Sequence, residues 1–387
     1  MAQPTPLDPS LLPAGLRSRI VPGINGLDMH VLEAGFETAG RSCILLLHGF
    51  PELAYSWRKV MAPLAALGFH VVAPDQRGYG RTIGWDGAYD GDLASFRLLN
   101  LARDAIGLVS ALGYREVAAV VGHDFGSPVA AWCAVLRPDV FAAVALMSAP
   151  FPGPPDLPFD TRGAAPRPAP NHAEMVDAAL AALVPPRKHY QHYYSAREAD
   201  AQMLGAPQGL HAFLRAYYHF KSADWAPNRP FALASWTGDE LGKLPTYYVM
   251  QRGEGMAATV AAGAPRPAEI AACRWLTEAE MALYAGEFAR TGFQGGLNWY
   301  RCQTVQRFIT EMQAWGGRTI DQPSLFIAGA SDWGVHQSPG VFERMQASAC
   351  TRMLGCHLVD GAGHWVQQEQ PEAVVRLLAD FLAAARS

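Results

Sequence analysis

From Ile44 to Pro150 short apolar runs alternate with longer amphipathic ones, and no other property of the sequence narrows the fold as much. The runs Ile44–Leu47, His70–Ala73, Val117–Val121 and Ala143–Met147 are apolar at consecutive positions rather than at every second one, as in strands covered on both faces. Between them, Trp57–Leu67, Leu99–Leu112 and Pro128–Val135 have the length and spacing of helices. Strand–helix–strand succession implies an α/β fold with a mostly parallel sheet flanked by helices. The alternation stops at Phe151. It returns with a strand at Leu325–Ala328, a helix around Pro339–Ala347, a strand at Cys356–Val359 and a last helix from Glu372 to Ala384. Residues 1–150 and 319–387 are therefore predicted to form one core, interrupted over 151–318 by an insertion. That insertion opens with a Pro/Gly-rich stretch, Phe151–Pro170, and continues with aromatic-rich, helical-looking segments at Lys188–Gln202, His211–Phe220 and Glu278–Ala289. It reads as a helical cap over the core.

Composition removes several classes of function. Half of the 387 residues are hydrophobic and 17% are charged, the profile of a compact protein with a large core. A net charge of -4 without any Lys/Arg run gives a phosphate backbone little to hold, so no nucleic-acid partner is expected. The six cysteines are scattered and several lie in apolar runs, which suits buried free thiols in a reducing compartment. No export signal and no membrane-length apolar run is visible, so the protein is expected to be cytoplasmic. No metal-ligand spacing occurs, and neither a metal nor a cofactor is expected. A homo-oligomer is compatible with the long insertion.

The strongest local signal is Gly122-His123-Asp124-Phe125-Gly126, placed between a strand and a helix with Pro128 in its first turn. This is the sequence of a nucleophile elbow with Asp in the position usually held by Ser. Small residues flank the centre because the turn is too tight for side chains there. Taken alone, Asp124 could instead be a helix N-cap, the less favoured of the two readings. His48-Gly49-Phe50-Pro51-Glu52 follows the strand Ile44–Leu47 and can aim the Phe50 backbone N–H inward; paired with the N–H of Phe125, it would make an oxyanion hole. Asp332 follows the strand Leu325–Ala328, and His364 follows Cys356–Val359. Both lie at strand C-terminal ends, where open α/β sheets bind ligands. The order Asp124, Asp332, His364 is nucleophile, acid, base. Asp360 and Asp321 compete for the acid, but the first is too near His364 in sequence and the second precedes its strand.

The motifs together resemble the soluble epoxide hydrolases of the α/β-hydrolase superfamily. The resemblance runs through His48–Glu52 with Tyr55-Ser56-Trp57-Arg58 after it, Asp75-Gln76-Arg77-Gly78-Tyr79-Gly80, the Asp124 elbow, Asp332-Trp333 and Gly363-His364-Trp365. In the insertion, Leu297-Asn298-Trp299-Tyr300-Arg301 matches the family segment carrying one ring-opening tyrosine, which implies that role for Tyr300. The second family tyrosine lies in a Tyr-Gln-x-Tyr-aromatic stretch, matched by Tyr190-Gln191-His192-Tyr193-Tyr194. The match points to Tyr193, with Tyr190 and Tyr194 as alternatives because the following Pro-Gly step is missing. Trp57, Trp299 and Trp365 could line an apolar pocket, or simply pack.

The resemblance implies hydrolysis of an epoxide to a vicinal diol, with water as co-substrate and an alkyl ester on Asp124 as intermediate. A haloalkane or haloacid dehalogenase would use the same carboxylate but needs N–H donors for halide, often tryptophans, where this chain has Phe50 and Phe125. A non-catalytic ligand-binding protein on the same scaffold is the third reading.

Overall fold

The computed structural model describes residues 5–157 and 172–386. Ten strands form two sheets: β1 Leu16–Ile24, β2 Leu27–Ala34, β3 Cys43–Leu47, β4 His70–Pro74, β5 Ala119–His123, β6 Val144–Met147, β7 Arg187–His189, β8 Val249–Gln251, β9 Ser324–Gly329 and β10 Met353–Val359. The main sheet has the order β1-β2-β4-β3-β5-β6-β9-β10. It is antiparallel at the β1–β2–β4 edge and parallel across the rest.

Burial explains which strands were legible. β3, β4, β5 and β6 are buried at every position, so both faces are apolar. Helices Arg58–Ala66, Leu98–Ala111, Gly126–Leu136 and Pro371–Ala385 cover them, each within a few residues of the expected span. The expected strand at Val117–Val121 begins two residues later, Val117 contributing only an isolated bridge to Phe141. The β1–β2 hairpin was not anticipated. β1 is a partly polar edge strand whose Arg17 and Arg19 both reach the buried Glu33, at 2.8 and 2.7 Å. All six cysteines are free.

Among the described residues the insertion is mainly helical, with one strand pair. β7 and β8 pair antiparallel, so the helix expected over Lys188–Gln202 is instead a strand followed by the short helices Tyr190–Tyr194 and Ala199–Leu204. Leu210–Lys221, Glu278–Thr291 and Gln294–Thr304 complete its floor. The Pro/Gly-rich stretch expected over Phe151–Pro170 lies, beyond residue 157, outside the described residues. Polar groups tie insertion to core. The buried Arg58 guanidinium bonds Glu280 and Gln368, both at 2.7 Å, Arg81 meets Glu287 at 2.8 Å, and the Tyr218 hydroxyl donates to the Pro51 carbonyl at 2.9 Å. The Arg58 guanidinium is buried, so removing one of its partners is costly, and the pair helps to fix how the insertion sits on the sheet. Among the described residues no helix is long and apolar enough to cross a membrane.

Candidate active site

Parallel strands deliver their loops to one edge, and five polar positions gather there: Phe50 after β3, Asp124 after β5, Ser148 after β6, Asp332 after β9 and His364 after β10. Asp124 has φ 52°, the left-handed region that a non-glycine residue rarely adopts, and this lifts its side chain above the sheet. Its neighbours make the turn feasible. A Cβ on Gly122 would lie 2.0 Å from the Gly126 carbonyl oxygen, and one on Gly126 would lie 2.2 Å from that of Leu47, so only glycine fits at either place.

The Asp124 carboxylate is divided between two partners. Its Oδ1 accepts the Phe50 backbone N–H at 2.9 Å, and its Oδ2 lies 3.2 Å from His364 Nε2. No hydrogen bond joins the Phe125 amide to Asp124, although that amide stands at the N-terminus of the helix Gly126–Leu136. The other imidazole nitrogen, His364 Nδ1, lies 3.1 Å from Asp332 Oδ1, and Asp332 is in turn held by the Gly334 N–H at 2.7 Å and by the Ser148 hydroxyl. The competing acids are elsewhere: Asp360 is exposed, and Asp321 is occupied by Thr319 and Thr351.

Protonation follows from this geometry. Burial pushes the Asp124 carboxyl up, but the hydrogen bond and charge of His364, then the charges of Lys221 and His123, hold it well below the usual carboxylate range. It is an anion at neutral pH. Burial and the Lys221 charge push His364 down, while Asp332 and the bonds to Asp124 and Asp332 outweigh them and raise it above the usual histidine value.

Further residues hold His364 in place. His123, preceding Asp124, has an acceptor at each ring nitrogen: Glu52 at 2.6 Å and the His364 carbonyl at 2.7 Å. Glu369 accepts the backbone N–H groups of Gly363, Trp365 and Ala223 at 3.0, 2.9 and 2.8 Å, clamping the His364 loop to the insertion. Glu52 and His123 both lie inside quoted motifs, but their pairing joins positions 71 residues apart. Glu369 carries no local signature.

Above Asp124 stands a cluster of phenols. The Tyr300 ring lies edge-on to Phe50 and Phe125, at 5.6 and 5.1 Å, so it faces the nucleophile from the insertion. The tyrosine beside it is Tyr190, 5.8 Å away by ring centroids; burial and, next, the Asp124 charge push both phenols well above their usual range. Tyr193 is not brought there. Its hydroxyl abuts Gly255, Lys188 lies 5.1 Å over its ring, and burial, opposed by a contact with the Met256 backbone and aided by Glu198 rather than Asp124, pushes its phenol up to about 12. The cause is the unexpected strand. β7 ends at His189, and the Tyr190 N–H bonds the Tyr248 carbonyl at 2.8 Å, which sets the rotation of the helix Tyr190–Tyr194. Successive residues then turn by about 100°. Tyr194 shares the inner face, 5.0 Å from Tyr300, but donates to the Tyr217 hydroxyl at 2.9 Å.

The tryptophans are packing partners in this arrangement. Trp57 is fully buried in the core and has no ring contact with the site. Trp299 backs Phe125 at 5.1 Å and donates its indole N–H to the Arg77 carbonyl at 2.9 Å. Trp365 stacks on Tyr218 at 4.3 Å, flanks His364 at 4.6 Å, and donates to the Tyr218 carbonyl at 2.8 Å.

Comparison with known proteins agrees with this architecture. Residues 43–371 match the alpha/beta hydrolase fold family. Epoxide hydrolase B of Mycobacterium tuberculosis is 34% identical over 353 residues, covering 89% of this chain and 92% of that protein. Epoxide hydrolase A of the same organism is 32% identical, with 92% and 95% covered. Among solved structures, an epoxide hydrolase from an endophytic Streptomyces superposes with a TM-score of 0.73 at 32% identity over 97% of both chains. Potato (Solanum tuberosum) epoxide hydrolase I gives 0.72 at 28% identity over 95% of this chain and 99% of that one. The tight strand–turn–helix at Asp124, Asp332 and His364 on successive strand ends, and near-full-length similarity at this level lead to one conclusion: this chain belongs to the epoxide hydrolase family of the alpha/beta hydrolase fold.

Proposed function

We propose that the chain hydrolyses epoxides to vicinal diols through an ester on Asp124, with Tyr190 and Tyr300 as the ring-oxygen donors and the Asp332–His364 pair as the water-activating base. The observation that carries this reading is the division of the Asp124 carboxylate, one oxygen on the Phe50 N–H and the other beside His364 Nε2. An epoxide is a strained electrophile whose leaving group is an alkoxide, so it needs an anion at carbon and hydrogen-bond donors at oxygen.

In the first step one Asp124 oxygen attacks a ring carbon and the C–O bond breaks toward oxygen. Tyr190 and Tyr300 stabilise the alkoxide, which takes a phenol proton and becomes the first hydroxyl; the phenolate is reprotonated from solvent, into which His364 releases its own proton. Esterification removes the Asp124 charge that helped to raise His364, so the imidazole is left neutral and ready to act as a base. In the second step His364 takes a proton from water, the hydroxide adds to the Asp124 Cγ, and the oxyanion forms on the Phe50 N–H with the Phe125 N–H as the second donor. Collapse expels the diol oxygen, which takes the proton of the new carboxyl, and the Asp124 anion is restored beside protonated His364.

Halide release has less support. A halide needs N–H donors at the nucleophile, and the indole N–H groups of Trp299 and Trp365 are both committed to main-chain carbonyls. The test is His364→Gln with styrene oxide. Intact-protein mass should rise by one epoxide, localised to the Asp124 peptide, with diol formation stopping after the first turnover. Sustained turnover by this variant would refute the assigned base.

A further inference from the structure

Lys221, the last residue of the helix Leu210–Lys221, is 4% exposed, yet among the described residues its ammonium has no carboxylate within ion-pair distance and no hydrogen-bond acceptor. An unpaired buried cation is costly and calls for a compensating arrangement. Burial pushes the ammonium down, the charges of Asp124, Asp332 and Glu52 oppose this from longer range, and the immediate surroundings are aromatic. Lys221 Nζ lies 5.0 Å from the ring centroid of Tyr248, 5.5 Å from those of Tyr217 and Trp365, and 5.9 Å from that of Tyr247, so four rings share the charge.

The cage is fixed in place. Asn228 bonds the carbonyls of Phe220 and Ser222 on either side of Lys221, at 3.0 and 2.8 Å, and accepts the Tyr247 hydroxyl at 2.7 Å. It is also joined to the base: the Lys221 carbonyl accepts the His364 N–H at 2.9 Å, and the Trp365 of the cage is the residue after His364. We propose that Lys221 is a positioning residue for ester hydrolysis, its carbonyl fixing the His364 main chain and its caged ammonium setting the field in which His364 takes up and releases its proton.

The proposal rests on the base role given to His364 above. Once Asp124 is esterified it carries no charge. The groups left facing the imidazole are then Asp332 from the loop after β9, His123 from the end of β5 with Glu52 behind it, and Lys221 from the insertion. Asp332 and Glu52 favour a proton on His364, and Lys221 opposes it. Without Lys221 the imidazole would hold its proton to higher pH and deprotonate water only at correspondingly higher pH. The aromatic cage suits this use, because a close carboxylate would cancel the ammonium's field at His364.

The experiment is the pH dependence of alkyl-enzyme decay in single-turnover mixing with styrene oxide, for the wild type, K221M, K221Q and K221R. The acid limb of decay should move upward by about one pH unit in K221M and K221Q, as expected for loss of one nearby charge. K221R should return it toward the wild-type position. Alkylation draws on Asp124, whose carboxyl is held well below the neutral range by His364 before Lys221, so its pH profile should keep its position near neutral pH. A decay profile in K221M and K221Q that superposes on that of the wild type overturns the proposal alone, as does equal slowing of both steps without a shift, the mark of a purely structural residue. Absence of any alkyl-enzyme in the wild type overturns the ester mechanism, and the proposal with it.

Discussion

Replacing Tyr190 by Phe removes a single oxygen atom and leaves a ring that packs 5.3 Å from Tyr194, 5.3 Å from Tyr248 and 5.8 Å from Tyr300. The ground state loses little. The Tyr190 hydroxyl reaches Gln337 Oε1 at 3.4 Å and receives Gln191 at 3.3 Å, both at the long edge of hydrogen bonding, so stability should fall by no more than about 1 kcal/mol. The transition state loses one of two donors to the developing alkoxide, and removal of one such donor costs about 10²–10³ in rate, or roughly 3–4 kcal/mol. The companion variant, Tyr193→Phe, removes a hydroxyl that faces Gly255 and the Met256 backbone rather than Asp124. Its removal should cost no more than about 1 kcal/mol of stability and leave alkylation undiminished. Rapid mixing with limiting styrene oxide, followed by quench and quantitation of the ester, measures alkylation directly. If Tyr193→Phe slows alkylation by orders of magnitude and Tyr190→Phe does not, the assignment from the β7-set helix rotation is wrong.

Other perturbations test the core. Gly49→Ala would place a Cβ 2.4 Å from the Asp124 side chain, forcing the nucleophile off the Phe50 N–H; kcat should fall at least about 100-fold, the value of one oxyanion donor, while thermal stability changes far less than activity. His364 is raised in the resting protein, so its ionic contacts stabilise fully below its unfolded pKa of about 6.5, and that contribution is lost as pH rises through the folded value. Tm of the wild type should therefore decline over this neutral-to-alkaline window, and His364→Gln should flatten the decline; an unchanged slope in the variant would remove His364 as its source.

Much of this site could be read from the chain before any coordinates, because its main-chain signals are local. The elbow at Asp124, the turn at Phe50 and the loops carrying Asp332 and His364 each adjoin a strand with two apolar faces, and such strands are visible as apolar runs. What escaped notice depends on contacts remote in sequence. β1 and β2 form a partly polar edge, where apolar continuity gives no signal. β7 is three residues long and exists by pairing with β8, some sixty residues on, yet it decides which tyrosine faces Asp124. Lys221 ends an aromatic helix and looks like a solvent-facing lysine until Tyr247, Tyr248 and Trp365 are folded around it.

The central claim is that a carboxylate oxygen of Asp124, not water, opens the ring. It is tested most directly by a single turnover in ¹⁸O-labelled water with enzyme in excess over styrene oxide, followed by mass analysis of the diol and the Asp124 peptide. The account requires an unlabelled diol and ¹⁸O in the Asp124 side chain. A diol labelled in that first turnover, with Asp124 unlabelled, would mean that water attacks the epoxide directly and would contradict the ester mechanism.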